Sequence, residues 1–402
     1  MLKDKHDIEI KRQSLHERFN SYALLFLKTA LEKMIEKQLN LKLSSLDDFK
    51  VFKRILIKDS TCFQIDESLA QYYPGSGGGG SNASIRIQFE YDILSGKIND
   101  LSVNAFNKQD AKDSLATIEL TQEGDLILRD LAYMSLKVLG SLAMGKRFFL
   151  CRVNPIIKVF EKKQDGFQAF NFIETTNHMK KYGIKCIEKE VYLGCVEKLR
   201  VRLILYLMPE KEVARRIRKA EQNNKKKCRK PLSKEYKARA SLNLFVTNAA
   251  PELIPMEKAW SFYRLRWQIE LIFKVWKSIC NLEKVKKVKK HRLECYIYSK
   301  LILIILGWQV LWSTARTLLL KEKKALSFYK AAKTLLSRKI NELRDMFMAR
   351  KASTGSFMKD FYDLSRLNHI LERRRKEPTS VELLLDCLNI KLMGEKQWQG
   401  SV

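Results

Sequence analysis

The 402 residues can fill one large or two to three ordinary domains with a sizeable core. An apolar fraction of 46% with 10% aromatics excludes a disordered chain, and 76 Lys and Arg against 45 Asp and Glu leave a net charge of +31. An enzyme of small metabolites needs no such excess; a polyanion explains it, because each basic group near a phosphate releases condensed counterions. The bases are spread along the chain and not gathered on one amphipathic helix, which favours nucleic acid over a membrane surface.

The first residues alternate charges and lack the apolar stretch of a secretory signal. A helix is expected from Ser14, with Glu17 three residues on as a capping box, to about Gln38. Residues 54–61, Arg-Ile-Leu-Ile-Lys-Asp-Ser-Thr, read as a strand that delivers Asp59 at its end. Beyond a loop with a Gly-rich run at 75–80, strands are expected at 84–91 and 96–103, joined by hairpin chemistry at Leu94-Ser95-Gly96. A helix at 108–118, a strand at 125–130 ending in Asp130, a helix at 133–144 and a strand at 147–153 follow. The order β-β-β-α-β-α-β suits a mixed sheet flanked by helices, as in the ribonuclease H-like fold.

The pattern changes at 154–240. Short strands are expected at 156–160, 168–173, 186–193 and 200–207, then a charged helix from 210 to about 222 and a basic tract at 225–239. A strand at 242–247 returns to the core, one long helix is expected at 256–279, and the rest is largely helical. The domain reading is therefore 1–50 N-terminal helical region, 51–153 first part of the catalytic core, 154–240 β-rich insertion, 241–292 second part of the core and 293–402 C-terminal helical region.

An acid ending a strand is more often a turn former or helix cap than a catalyst, so Asp59 and Asp130 alone prove little. If their strands are neighbours, however, both carboxylates emerge where phosphodiester chemistry would want them, around two divalent cations about 3.5–4 Å apart. Oxygen donors suit Mg²⁺ or Mn²⁺. The third piece is the helix at 256–279. Tyr263, Arg266, Glu270, Lys274 and Lys277 step by three or four and would share one face, with Trp267, Ile269, Phe273 and Trp276 packing around the others. An ordinary salt-bridged helix face does not explain an acid set between bases and flanked by an aromatic.

Tyr-x2-Arg-x3-Glu-x6-Lys, filled by Tyr263, Arg266, Glu270 and Lys277, resembles the signature of the DDE transposases of the bacterial insertion sequence 4 group. Lys58-Asp59-Ser60-Thr61 and Leu128-Arg129-Asp130 resemble that family's first and second Asp blocks. The resemblance implies a ribonuclease H-like core interrupted by a β-rich insertion, with Asp59, Asp130 and Glu270 catalytic and holding two Mg²⁺ (or Mn²⁺) ions. It implies phosphate contacts by Tyr263, Arg266 and Lys277. The activity it implies is hydrolysis at the ends of an insertion sequence and transesterification into target DNA. The implied partner is double-stranded DNA, with a homodimer in the complex, no membrane, and a cytoplasmic, nucleoid-associated location. Family members carry a longer N-terminal segment for end recognition, whereas 58 residues precede Asp59 here. Relatives that stack a flipped base on a Trp in the insertion have no counterpart, since 154–240 holds no Trp. The alternatives are a ribonuclease H-like nuclease without strand transfer and an inactive DNA-binding transposition inhibitor.

Among the remaining features, the Gly-rich loop lacks the Gly-Lys-Ser/Thr ending of a phosphate-binding loop and reads as a flexible connection. Residues 284–292 contain Lys286, Lys287, Lys289 and Lys290; directly after the signature helix they read as DNA-backbone contacts, as does the tract at 225–239. The apolar run at 301–312 is core packing, too short to span a bilayer. The eight cysteines include no Cys-x-x-Cys pair and signal neither zinc nor disulfides.

Overall fold

A computed structural model describes residues 9–38, 52–76, 81–227, 230–342, 352–372 and 378–389. The chain runs through α1 (Arg12–Glu17), α2 (Ser21–Glu36), β1 (Ile55–Gln64), β2 (Ser84–Asp92), β3 (Ile98–Ala105), α3 (Asp110–Ala116), β4 (Leu126–Arg129), α4 (Leu136–Met144) and β5 (Phe148–Arg152). It continues through β6 (Val159–Lys163), β7 (Gly166–Ala169), α5 (Phe172–Lys181), β8 (Cys186–Leu193), β9 (Leu199–Leu207), α6 (Glu210–Lys226), α7 (Lys234–Ala240) and β10 (Leu242–Thr247). The helices α8 (Ala259–Arg264), α9 (Gln268–Ser278), α10 (Lys290–Glu322), α11 (Phe328–Ser337), α12 (Ala352–Asn368) and α13 (Ser380–Cys387) follow. From β1 to β5 the order is the β-β-β-α-β-α-β expected from the sequence. The Gly-rich loop falls largely outside the described residues.

The chain forms two compact units. One comprises residues 1–49, 58–109 and 267–402, the other 50–57 and 110–266. In the first, the strand order is β3-β2-β1, with β2 and β3 an antiparallel hairpin. The edge of β3 is occupied by a side chain: Gln38 accepts from the Ile98 amide at 2.7 Å and donates to its carbonyl at 3.1 Å. Such a bidentate amide imitates a strand partner and blocks pairing with another chain. Helix α10 crosses this unit. By length and composition it could cross a membrane, and half of its apolar window is buried inside the protein. Trp308 shows why it reads as a core helix: its indole donates to the Gly96 carbonyl at 2.7 Å. Its ring packs edge-to-face on Phe89 and Tyr91 of β2.

In the second unit the strand order is β1-β4-β5-β10-β9-β8-β6-β7. Strands β4 and β5 are parallel, and β10 pairs antiparallel with β5 on one side and β9 on the other. The strands of 154–240 therefore extend the core sheet edge to edge. Buried Leu56, Ile127, Phe149, Val191, Leu203, Leu205 and Val246 form a continuous apolar core along it.

Several expected elements differ. The N-terminal helix is two helices, because Asn20 accepts from the amides of Tyr22 and Ala23 and so starts α2. Residues 168–173 were expected as a strand; the strand ends at Ala169, and α5 begins under an Asn171 cap that accepts from the Glu174 amide. The helix expected at 256–279 is broken, since Leu265–Trp267 turns more tightly, with i→i+3 bonding, between α8 and α9.

Gly96, in the hairpin between β2 and β3, has φ +72, and a Cβ there would lie 2.3 Å from the Trp312 ring. Gly96→Ala combines left-handed strain with overpacking, an expected cost of about 2–4 kcal/mol. Chemical denaturation measures it; an unchanged midpoint would mean that Trp312 moves aside freely.

Candidate active site

Strand β1 is buried at Ile55, Ile57 and Lys58 and opens at Asp59. Successive residues face opposite sides of a sheet. Lys58 accordingly points away from Asp59 and is 0% exposed, with its ammonium 2.7 Å from Asp100 on β3. Asp59 is half-buried, and its Oδ1 accepts from the Ser60 amide at 2.8 Å. It was expected at the end of its strand. It lies in the interior instead, because β1 continues to Gln64. Phe63 is buried, and the Phe63 carbonyl accepts from the Ser84 hydroxyl at 2.9 Å, so pairing runs well past the acid.

Glu270 belongs to the same unit. It sits half-buried in the first turn of α9. The helix is fixed by Trp276 and Phe273, whose rings lie 4.8 and 6.4 Å from Phe89. Lys277, two turns beyond Glu270, donates to the Cys62 carbonyl of β1 at 3.0 Å and stands 3.7 Å from Glu283. It thereby ties the helix of Glu270 to the strand of Asp59. Lys274 is exposed, its ammonium 5.4 Å from the Tyr329 ring. Trp267, expected to pack, lies at the end of the tight turn and is 58% exposed.

The basic run is held against the loop between β1 and β2. Lys287 stands 3.9 Å from Asp66, and Lys290 lies 4.5 Å over the Tyr72 ring. Tyr73 donates to buried Glu294 at 2.6 Å. Lys286 and Lys289 are exposed.

In the other unit, Asp130 follows directly on β4 at the strand end, as expected. The Tyr263 hydroxyl donates to its Oδ1 at 3.3 Å. Tyr263 is buried against Phe245 of β10, with ring centroids 5.1 Å apart. Burial, above all, pushes its phenol pKa up; Asp130 adds to this, while Arg266 and Arg152 oppose it. The guanidinium of Arg266 lies 5.8 Å from the Tyr263 ring. Two cations thus lie within electrostatic range of the Tyr263–Asp130 pair. Arg152 escaped the sequence reading because it belongs to no motif; only its place at the end of β5, beside the strand of Asp130, could have marked it. Buried Cys151 is pushed up to about 12 by desolvation, with Asp130 adding to the effect.

Tyr263 contacts both Asp130 and Arg266 in one unit; Asp59, Glu270 and Lys277 belong to the other, where Lys277 bonds the strand that carries Asp59. The expected single helical face from Tyr263 to Lys277 is interrupted at Leu265–Trp267. Nothing in that sequence announces the break, for no Gly or Pro is present. Among the described residues, no three His, Cys, Asp or Glu side chains are grouped so as to hold a metal ion.

A family described as "Transposase DDE domain" matches residues 50–306, a span that contains all three acids. The transposase for insertion sequence element IS231F of Bacillus thuringiensis subsp. israelensis is 32% identical over 379 residues, covering 91% of this chain and 77% of its own length. That for IS231B of Bacillus thuringiensis subsp. berliner is 34% identical over 334 residues, covering 79% and 69%. The transposase for IS1151 of Clostridium perfringens is 29% identical over 342 residues, covering 82% and 72%. A cryo-EM structure of the piggyBac transposase synaptic complex with hairpin DNA overlaps 82% of this chain and 60% of its own, at 11% identity and TM-score 0.33. The chain belongs to the DDE transposases. Within them it is a transposase of the insertion-sequence kind, an enzyme that cuts and transfers DNA, and members of this family use divalent metal ions.

Two measurements test these environments. Native protein treated with a thiol reagent at pH 8 should be modified at exposed Cys195 and spared at Cys151. The Cys151, Cys186 and Cys280 thiols are all raised to about 12 by burial. Unfolded thiols ionise first as pH climbs past about 8.5, so stability should be unaffected by these groups below that pH and fall between there and about 12. Rapid labelling of Cys151 in the native state would refute its burial. For Lys277→Ala, loss of a charge-assisted bond to the Cys62 carbonyl should cost about 1.5–3 kcal/mol of stability. An unaltered denaturation curve would show that the contact is dispensable.

Proposed function

We propose that Asp59, Asp130 and Glu270 act together on one phosphodiester of double-stranded DNA. The enzyme hydrolyses the ends of its insertion sequence and joins the freed 3′-hydroxyls to target DNA by direct transesterification. The observation that carries this reading is that all three acids are half-buried and all lie within the residues matched by the family. The donor set suits Mg²⁺ or Mn²⁺: it is three carboxylates, all oxygen, and buried Cys151 stays a neutral thiol that offers no soft ligand. Two such ions, held by these carboxylates, would supply activation of the attacking water or 3′-hydroxyl and stabilisation of the leaving oxygen.

The chain's own side chains position the substrate. Arg266, within reach of Asp130 through Tyr263, grips a phosphate beside the scissile bond; Tyr263 steadies the Asp130 carboxylate through its hydroxyl. Lys274, Lys277, Lys286, Lys287, Lys289 and Lys290 neutralise further phosphates, with Lys277 also holding α9 to β1. The DNA complex contains a homodimer, in keeping with an element that has two ends.

Alanine at Asp59, Asp130 or Glu270 should raise the barrier to divalent-metal-dependent cutting by about 4 kcal/mol or more, a loss of about a thousandfold in rate, and leave DNA binding intact. Arg266→Ala should retain some nicking and lose on the order of a hundredfold in strand transfer, since misplacement of the end by about 1 Å is that costly. The assay uses duplex ends with free 3′-hydroxyls and a plasmid target. Cutting without joining by the unaltered protein would make it a nuclease, and full cutting by Asp130→Ala would remove that residue from the site.

A further inference from the structure

Helix α6 lacks what holds most surface helices in place: not one of its residues is buried. Its inner side is anchored by polar contacts, among them Glu221 at 3.9 Å from Lys237 of α7. Arg216 donates to the carbonyls of Ala240 and Leu242 at 3.3 and 3.1 Å and to Asn243 at 2.5 Å. Asn224 donates to the Lys230 carbonyl at 2.9 Å near the far end. Acids in the first turn and lysines in the last complement the helix dipole. The helix is thus fixed along one edge and open along the other.

The open edge is cationic throughout. Lys211, Arg215, Arg218, Lys219, Lys225 and Lys226 are all exposed and recur at helical spacing, interrupted on that face only by Gln222. Lys211 with Arg215, and Arg215 with Lys219, are like-charge pairs one turn apart, an arrangement that destabilises an isolated helix. Arg215 has a partner in Glu212 at 2.6 Å, but both are solvated and such a pair contributes little. From Lys211 to Lys226 the helix rises about 22 Å, a density of about one cation per 4 Å. One strand of duplex DNA carries a phosphate per about 3.4 Å of axis. We propose that α6 is a sequence-independent grip on the phosphate backbone of duplex DNA, relieved of its own repulsion when it binds. Long flexible bases and the near-absence of amide or hydroxyl groups on this face suit phosphates and not base edges. The proposal rests on the reading that DNA is the partner.

The test measures binding of the full chain to a fluorescent duplex of arbitrary sequence between about 50 and 200 mM salt. The variant carries Lys211→Gln, Arg215→Gln, Arg218→Gln and Lys219→Gln, exposed positions where Gln keeps helix propensity. A control removes equal charge elsewhere, with Lys321→Gln, Lys324→Gln, Lys333→Gln and Arg338→Gln, all exposed. The first variant should lower the log–log salt slope by about 3.6, at about 0.9 per phosphate, and the control by less than about 1. Independently, Gln222→Lys should steepen the slope by about 0.9. Equal losses in variant and control, or an unchanged slope in the variant or in Gln222→Lys, would overturn the grip. Absence of salt-dependent binding by the unaltered protein would instead overturn the DNA reading on which it rests.

Discussion

Phe89 is the pivot on which the first unit is assembled. From β2 it meets Trp276 and Phe273 of α9 and Trp308 of α10, each edge-to-face. Such ring pairs contribute about 0.5–1.5 kcal/mol each beyond their buried area, and their geometry is directional. They fix the rotation of α9 about its axis, and with it the direction in which Glu270 leaves the helix. Trp308 is held in turn by the Gly96 carbonyl, so the hairpin turn between β2 and β3 sets the position of α10.

The second unit solves the same problem with a sheet. Asp130 leaves β4 at the strand end, and its neighbour Arg129 is wholly buried, with a hydrogen bond to Ser114. Tyr263 reaches it from α8, a helix pinned by Trp260 against Tyr206 and Phe245. The insertion is part of this support. Because β9 lies against β10, the residues of 154–240 buttress the strand on which Tyr263 packs.

Strand and helix identities were largely legible, because period-two and period-3.6 patterns are written in apolar residues. Asp130 was placed correctly since β4 is short and ends at a charge. Asp59 was misjudged because a polar stretch, Lys-Asp-Ser-Thr, looks like a strand end when Lys58 is in fact buried by its bond to Asp100. Helix α5 was missed although Asn171 and Glu174 supplied a cap signal; the aromatic run Phe167 to Phe172 outweighed it. The break before α9 could not be read at all. No Gly or Pro marks it. Arg152 and the open face of α6 were likewise invisible, being defined by where neighbouring segments fall.

The pleat of β1 has a consequence for how such a sequence can drift. Lys58 and Asp59 are adjacent in the chain and opposed in space, one pairing with Asp100 on the covered face and the other on the open one. Point substitutions along β1 change one side chain at a time and can be absorbed. Loss or gain of a single codon within the strand would exchange the faces of every residue beyond it. Loss of one before Lys58 would set a carboxylate against Asp100, and gain of one would set an ammonium where Asp59 stands. Lineages descended from this gene can therefore vary in letters here, but not in length.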